Sequence, residues 1–207
     1  GEQQIPAGED SPAGSDSGDM ADDYFQLGFG YKNDLNDRWS LAIIFDQPYG
    51  ADVNYADDTA YAYGGGVTPF GSTATIDSNA VTALVAYKLP DNLTVYGGAR
   101  AVQTVGEVEL FNTYSMEIDA ETNFGYVIGA AWERPDIAAR VSLTYHSEIT
   151  HDFQATEAYP AELIGETPTE FSTTLPQSVT LEGQTGIAAD TLLFGSVRWV
   201  DWTSFDI

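Results

Sequence analysis

Ile137-Ala138-Ala139-Arg140-Val141-Ser142-Leu143-Thr144-Tyr145-His146-Ser147-Glu148-Ile149-Thr150-His151-Asp152-Phe153 is the stretch from which the fold is read. From Ala139 onward it alternates. Ala139, Val141, Leu143, Tyr145, Ile149 and Phe153 fall on one face of an extended chain, with Ser147 and His151 the lapses. Arg140, Ser142, Thr144, His146, Glu148, Thr150 and Asp152 fall on the other. Side chains of a β-strand point to opposite faces with period 2, so this strand is apolar on one side and charged on the other. It also exceeds the usual strand length of about five or six residues. A strand crossing an outer membrane needs about 9–11 residues, apolar toward lipid and polar toward the lumen, and this stretch supplies both.

The same pattern recurs on either side. Phe25, Leu27, Phe29 and Tyr31 share a face, as do Trp39, Leu41, Ile43 and Phe45. Val81, Ala83, Val85, Tyr87 and Leu89 follow, then Val95, Ala99, Ala101 and Val105. Phe124, Tyr126, Ile128, Ala130 and Trp132 are backed by the small residues Gly125, Gly129 and Ala131. Val179 and Leu181, then Leu193, Val197 and Trp199, complete eight strands. Their connections alternate between short (33–37, 90–92, 133–136, 186–190) and long (1–23, 57–75, 111–121, 158–168). Short turns at one end and long loops at the other are the pattern of an antiparallel outer-membrane β-barrel, periplasmic and extracellular respectively. Tyr31, Trp39, Tyr87 and Trp132 lie beside short turns, where an interfacial aromatic girdle belongs.

Composition agrees. The 207 residues carry a net charge of −25, with 7 Lys and Arg against 32 Asp and Glu. That excludes nucleic acid as a partner and gives a solvated, self-repelling surface. Four cations, Lys32, Arg38, Lys88 and Arg134, sit at short turns, and the other three, Arg100, Arg140 and Arg198, fall on inward faces. No apolar run approaches the roughly 20 residues of a transmembrane helix. There is no cysteine, hence no disulfide framework or thiolate metal site. Residues 1–23, with seven acidic side chains and no basic one, read as an acidic extracellular loop preceding a barrel portion over 24–207. Asp16-Ser17-Gly18-Asp19 lacks the spacing of a calcium loop, and no metal or other cofactor is expected. Both ends read as cut, so an internal piece of a longer chain is expected.

Three groups of residues are candidates for function. Asp46, Arg100, Arg140, His146, Glu148, Glu182 and Arg198 form the inward polar set. His146 and Glu148, two apart on one face, have the types of a general acid/base pair. No nucleophile motif, metal-ligand cluster or phosphate loop accompanies them, so they read as part of a lumenal polar network, and no enzyme is expected. Within that network Glu148 and Glu182 are expected to pair with Arg100, Arg140 or Arg198. Gln47-Pro48-Tyr49-Gly50 breaks a strand, because proline removes a ladder donor and glycine admits a kink. It reads either as the strand's end or as a kink that opens the wall. Phe70, Phe111, Tyr114, Met116, Leu163, Ile164 and Phe171 place apolar groups in or beside the long loops, where they would form a groove for a hydrophobic ligand.

Phe124–Phe153, ending in Leu143-Thr144-Tyr145-His146-Ser147-Glu148, together with Leu175–Phe205, carries a family resemblance. Leu175-Pro176 opens one strand there and Trp199-Val200-Asp201-Trp202 closes the next. The chain resembles the FadL/TodX-type outer-membrane transporters of long-chain fatty acids and other hydrophobic compounds. His146 is a departure, standing where the family usually has arginine. The resemblance implies a fourteen-stranded barrel, of which this piece holds the second through ninth strands. It also implies a hydrophobic, fatty acid-like small molecule and outer-membrane lipid as partners, a monomer, and sideways exit of substrate through the strand kinked at Gln47–Gly50. The competing expectation, favoured by the acidity, is a soluble or surface-displayed all-β binding module of adhesin or carbohydrate-binding type.

Overall fold

The computed structural model describes residues 25–55, 71–110, 114–159 and 165–204. The acidic segment 1–23 lies outside the described residues. Eleven strands form one antiparallel sheet. They are β1 (Gly28–Asp34), β2 (Trp39–Asp46), β3 (Gly50–Tyr55), β4 (Ser72–Lys88), β5 (Leu93–Leu110), β6 (Tyr114–Arg134), β7 (Ala139–His146), β8 (Ile149–Ala158), β9 (Glu166–Leu175), β10 (Ser178–Ala188) and β11 (Thr191–Val200). The order across the wall is β1-β2-β4-β5-β6-β7-β10-β11. β3 continues β2 along β4, while the hairpin β8–β9 continues β7 and β10. The eight strands read from the sequence are therefore present, three of them broken. No helix among the described residues is long and apolar enough to cross a membrane.

The register makes the alternation concrete. Phe45, Val81, Ala101 and Phe124 stand in one cross-strand row. Trp132, Val141, Gly183 and Gly195 stand in another. Their rows face outward: Phe124 is 74% exposed, Leu143 52% and Val197 71%, while inward Val127 is 1% and Ser142 4%. So many large apolar side chains bare to the outside would be untenable in water, and they fit a wall that meets lipid. That outer face removes the soluble-module expectation.

Short turns close the wall at one end. Asp91 and Asn92 both take φ of 60°, the left-handed conformation that a tight hairpin turn demands and that Asp and Asn tolerate. Pro135–Ile137 makes a single 3₁₀ turn ended by Ala138 in the same conformation. At the other end the sequence underestimated the strands. β4 begins at Ser72 and β6 at Tyr114, inside stretches read as loops. Ser72–Thr75 shows no apolar alternation, and in Ser115–Asn123 the apolar face is only Met116, Ile118 and Ala120 among acidic and other polar side chains. Strands rising above a membrane, with water on either side, need none.

The stretch read first is corrected in its second half. Past His146 the chain leaves the wall, and Ile149, Phe153 and Ala155 become 6%, 5% and 3% exposed. Ile149 packs on the inward side chains Ala80 and Val102. The same alternation that points Val141 and Leu143 to lipid thus points Ile149 and Phe153 at the inner wall. The strand has stepped inside its neighbour β6.

Candidate functional site

Three strand breaks meet at one place. The first is Gln47-Pro48-Tyr49. Asp46 stands opposite Ala80 but Gly50 stands opposite Asp77, so three residues face only two, Ser78 and Asn79. Proline has no N–H for the ladder there, and a bulge is where a strand tolerates that. Side chains close the break. The Ser78 hydroxyl, buried at 2%, accepts from the Tyr49 N–H at 2.8 Å and donates to the Tyr49 carbonyl. The Gln47 amide accepts from the Leu27 N–H at 2.8 Å and donates to Asn79 Oδ1 at 3.2 Å. Toward β1 the situation differs: β1 pairs β2 alone, and β3 has no partner on that side among the described residues.

The second and third breaks are Ser147-Glu148 and Pro176-Gln177. They lie opposite each other, with His146 paired to Ser178 on one side and Ile149 to Leu175 on the other. Gln177 fastens the bend: its Oε1 accepts from the Tyr145 hydroxyl at 2.9 Å and its Nε2 donates to Asp201 at 3.2 Å. The hairpin β8–β9 thereby turns in as a unit. Its closest approach is at Gly125, where any Cβ would meet Ile149 and the Ser147 hydroxyl at 2.7 Å. Only glycine permits that approach.

Together these elements enclose a cavity of about 140 Å³. Pro48 and Tyr49 line it from the first break, Ser147 and Pro176 from the others, and Val102, Ile149 and Leu175 give it an apolar floor. Asp46, Arg100, His146, Ser178, Thr180 and Arg198 supply its polar groups. Arg100 Nη2 is 2.7 Å from Asp46 Oδ2. Asp46 Oδ1 and His146 Nδ1 are buried without a hydrogen-bond partner among the described residues. Arg198 donates to the Ser178 hydroxyl at 3.1 Å and meets no carboxylate among the described residues. Two guanidiniums thus share one carboxylate, and the cavity carries an excess of positive charge.

The inward polar set separates into parts. Asp46, Arg100, His146 and Arg198 come together here. Arg140 and Glu182 line a second, more open cavity nearer the short turns. The expected pairs of Glu148 and Glu182 with arginine are not formed: Arg140 lies 3.6 Å from Glu133, its partner across the β6–β7 ladder, and Glu182 accepts from the Ser142 hydroxyl at 3.1 Å. Glu148 is exposed at the bend and contributes to neither cavity. The wall turns there, carrying Glu148 away from the arginines with which it shared a face in the unbroken strand.

Of the apolar loop set, Phe70, Phe111, Leu163 and Ile164 lie outside the described residues. Tyr114 stacks edge-on against Tyr159, and Phe171 lies 5.3 Å from Phe153 across the hairpin. Met116 stands opposite Glu157. These three brace the turned-in hairpin. Sequence reasoning missed Val102, Ile149 and Leu175 as lining residues, and Ser78 as the side chain that closes the first break. The lapse at Ser147 and the pair Leu175-Pro176 were the available signals.

Glu157 anchors the far end of that hairpin, accepting from Thr169 Oγ1 and from the Tyr159 hydroxyl, each at 2.6 Å. The Thr169 bond foremost, then that of Tyr159, holds its carboxyl below the usual range. A depressed carboxyl adds stability that is present above its ordinary pKa and is lost as pH falls through the lowered one. Hydrogen-exchange protection factors at β8–β9 amides should therefore be high at neutral pH and fall below about pH 4. Glu157→Gln should remove that dependence. An unchanged acid response in the variant would dismiss Glu157 as its source.

Comparison with known proteins bears on the whole wall. Residues 3–207 match the family described as "Outer membrane protein transport protein (OMPP1/FadL/TodX)". The fold is similar to the crystal structure of a Pseudomonas aeruginosa FadL homologue, with a TM-score of 0.68 and 16% identity, covering 86% of this chain and 48% of that one. It is also similar to the Ralstonia pickettii toluene transporter TbuX, with a TM-score of 0.60 and 16% identity, covering 92% of this chain and 59% of that one. The chain thus spans about half the length of these structures, and at such identity the likeness is one of fold. No curated protein matches it.

Proposed function

This chain belongs to the outer-membrane transport protein family of OMPP1, FadL and TodX, and on that premise we propose that it forms the part of a barrel wall that receives a fatty acid-like molecule and releases it sideways. The family is one of transporters, not enzymes, and its members sit in the outer membrane of Gram-negative bacteria. The observation that carries the proposal is a coincidence of place: the broken strand at Pro48 and Tyr49 and the arginine pair Arg100 and Arg198 line one cavity.

An acyl chain gains about 0.8 kcal/mol for each methylene taken out of water, so exit through an aqueous periplasm is steeply uphill. Exit through the wall into the membrane avoids that step. The TbuX structure is that of a toluene transporter, and toluene bears no charge. Here the excess positive charge on the lumen side favours an anionic head over a neutral ring. A carboxylate set between Arg100 and Arg198 would take the charge-assisted hydrogen bonds that Asp46 alone leaves unused. Its tail would lie on Val102, Ile149 and Leu175 and point toward Pro48. From there the β1 side of the bulge, where β3 pairs with no strand among the described residues, is the way out. Among the described residues, Gln47 bridges that side, its carbonyl accepting from the Gln26 amide and its side-chain Oε1 from the Leu27 N–H. Lipid from the outer leaflet is the acceptor, and one copy of the barrel suffices.

The test replaces Gln47-Pro48-Tyr49-Gly50 with Thr-Val-Thr, one residue shorter, in the full-length protein. The bulge should become regular strand, with folding and surface display intact. Uptake of radiolabelled oleate should drop by at least about tenfold, while oleate binding from outside persists. Unchanged uptake at matched expression would reduce the break to a strand irregularity and end the lateral-exit reading.

A further inference from the structure

The β6–β8 ladder stops and restarts without losing step. Val127 pairs with His146 before the gap, and Ile118 pairs with Ala155 after it, nine residues on along both strands. Between these points residues 119–126 and 147–154 face an equal number of partners. These two stretches do not pair with each other, apart from the hydrogen bonds of Ser147 to Tyr126, and pair instead with β5 and β9. A fixed inward detour has no need to preserve register, since a slipped strand would serve as well. Preserved register is what a strand needs if it also lies in the wall.

The alternation supports that second position. Zipped onto β6 in the existing register, Ile149 would stand opposite Phe124 and Phe153 opposite Ala120. Both would extend the outward face of Val141, Leu143 and Tyr145, on which Ser147 and His151 are the polar members. In the turned-in position the same face covers Ala80, Val102 and Gly125, an apolar patch on an inner wall that also carries Ser40, Ser78, Thr82 and Ser142. That position is imperfect. His151 is fully buried, with Nε2 unpartnered and Nδ1 only 3.5 Å from the Asn123 amide. The two bends, facing each other across the β7–β10 and β8–β9 ladders, form a single hinge line.

We propose that the inner-wall patch of Ala80, Val102 and Gly125 is a binding site for a hydrophobic compound, occupied at rest by the β8–β9 hairpin, which vacates it by zipping into the wall beside β6. Ile149 and Leu175 stand in for the ligand at rest. When the hairpin swings out, the cavity beside Arg100 gains this patch and the wall closes. The inference rests on the transport reading for the ligand's class, but the motion can be measured without transport.

Two cysteine pairs in the full-length protein, in outer-membrane vesicles, separate the states. The chain has no cysteine of its own. Ala80→Cys with Ile149→Cys reports the hairpin turned in, and Phe124→Cys with Ile149→Cys reports it zipped, because Phe124 lies on the outside of the wall. Val102→Cys with Ile149→Cys replaces the first pair should that variant fold poorly. Both bonds should form in their separate variants. N-phenylnaphthylamine, a hydrophobic fluorophore, should raise the yield of the Phe124 pair and lower that of the Ala80 pair. Locking the hairpin in should weaken binding of that probe by about tenfold or more, and locking it out should not. A Phe124 pair that never oxidises while the Ala80 pair does so fully would overturn the proposal. So would yields indifferent to the probe. Intact cross-linking in a protein without uptake would instead count against the transport reading alone.

Discussion

Gly98→Ala should yield almost no folded barrel. On β5 the backbone at Gly98 runs against β4 so closely that a methyl group would collide with the Ala83 carbonyl oxygen and lie 2.9 Å from Leu84 Cα. The obstacle is backbone in the middle of a continuous ladder, not the end of a flexible side chain. Neither strand can retreat without breaking pairs on both sides. The cost should exceed the roughly 1–3 kcal/mol of ordinary overpacking. Gly183→Ala is the control, since nothing lies within 4 Å of the position its Cβ would take. Protease-resistant barrel recovered from the outer-membrane fraction measures both. A normal yield of Gly98→Ala would mean that the strands are not held at this spacing.

The second large effect is expected at Arg100. Breaking a fully buried ion pair costs about 3–5 kcal/mol, because the surviving charge is left without a partner. The Arg100 side chain is 16% exposed and that of Asp46 34%, so lumen water should reduce the loss to roughly 2 kcal/mol. Arg100→Ala leaves Asp46 with both oxygens unsatisfied, since Oδ1 has no partner even now. Asp46→Ala leaves two guanidiniums and His146 around one cavity with no carboxylate. In the double variant the penalties should fall short of their sum by about 1–2 kcal/mol in denaturant melts of the full-length protein. Strict additivity would mean the 2.7 Å pair carries no coupling. Oleate affinity should also fall in Arg100→Ala and hold in Asp46→Ala, which separates head-group binding from stability.

The outer wall was legible because lipid imposes a rule on single residues. Every second side chain of β2, β4 and β7 must be apolar, and Leu41, Val85 and Leu143 obey it whatever their neighbours do. The inward faces follow no such rule. Arg100, Arg140 and Arg198 could be placed inside from parity, but their partners depend on the shear between strands and on where the wall bends. Glu148 shows the limit. Parity put it beside the arginines, and the bend at Ser147 carried it away. The turned-in hairpin was the least legible part, because Ile149 and Phe153 continue the parity of the outward face past the bend. Their pattern describes the wall that β8 has left. What the sequence did carry was the lapse at Ser147, which has the composition of a hinge and no apolar group to lose. Likewise Gln47-Pro48-Tyr49-Gly50 announced a break, but its sharing one cavity with Arg100 belongs to the curvature of the sheet.

The turn at Asp91 and Asn92 has a consequence for how the wall is laid down. All 17 residues of β4 pair with β5 in one unshifted register, from Lys88 with Thr94 beside the turn to Ser72 with Leu110 at the far end. Once the left-handed pair at Asp91 and Asn92 has formed, each further rung joins residues brought together by the one before. The entropy of loop closure is met once, at its smallest value. The β7–β10 seam is the opposite case, because its first rung must wait until the whole β8–β9 excursion has been gathered in. β4–β5 should therefore zip early and serve as the template to which neighbouring strands are added, and the seam beside the hinge should close late. A chain stalled during assembly would carry an intact β4–β5 ladder and an open edge at β7, the edge most exposed to pairing with another copy.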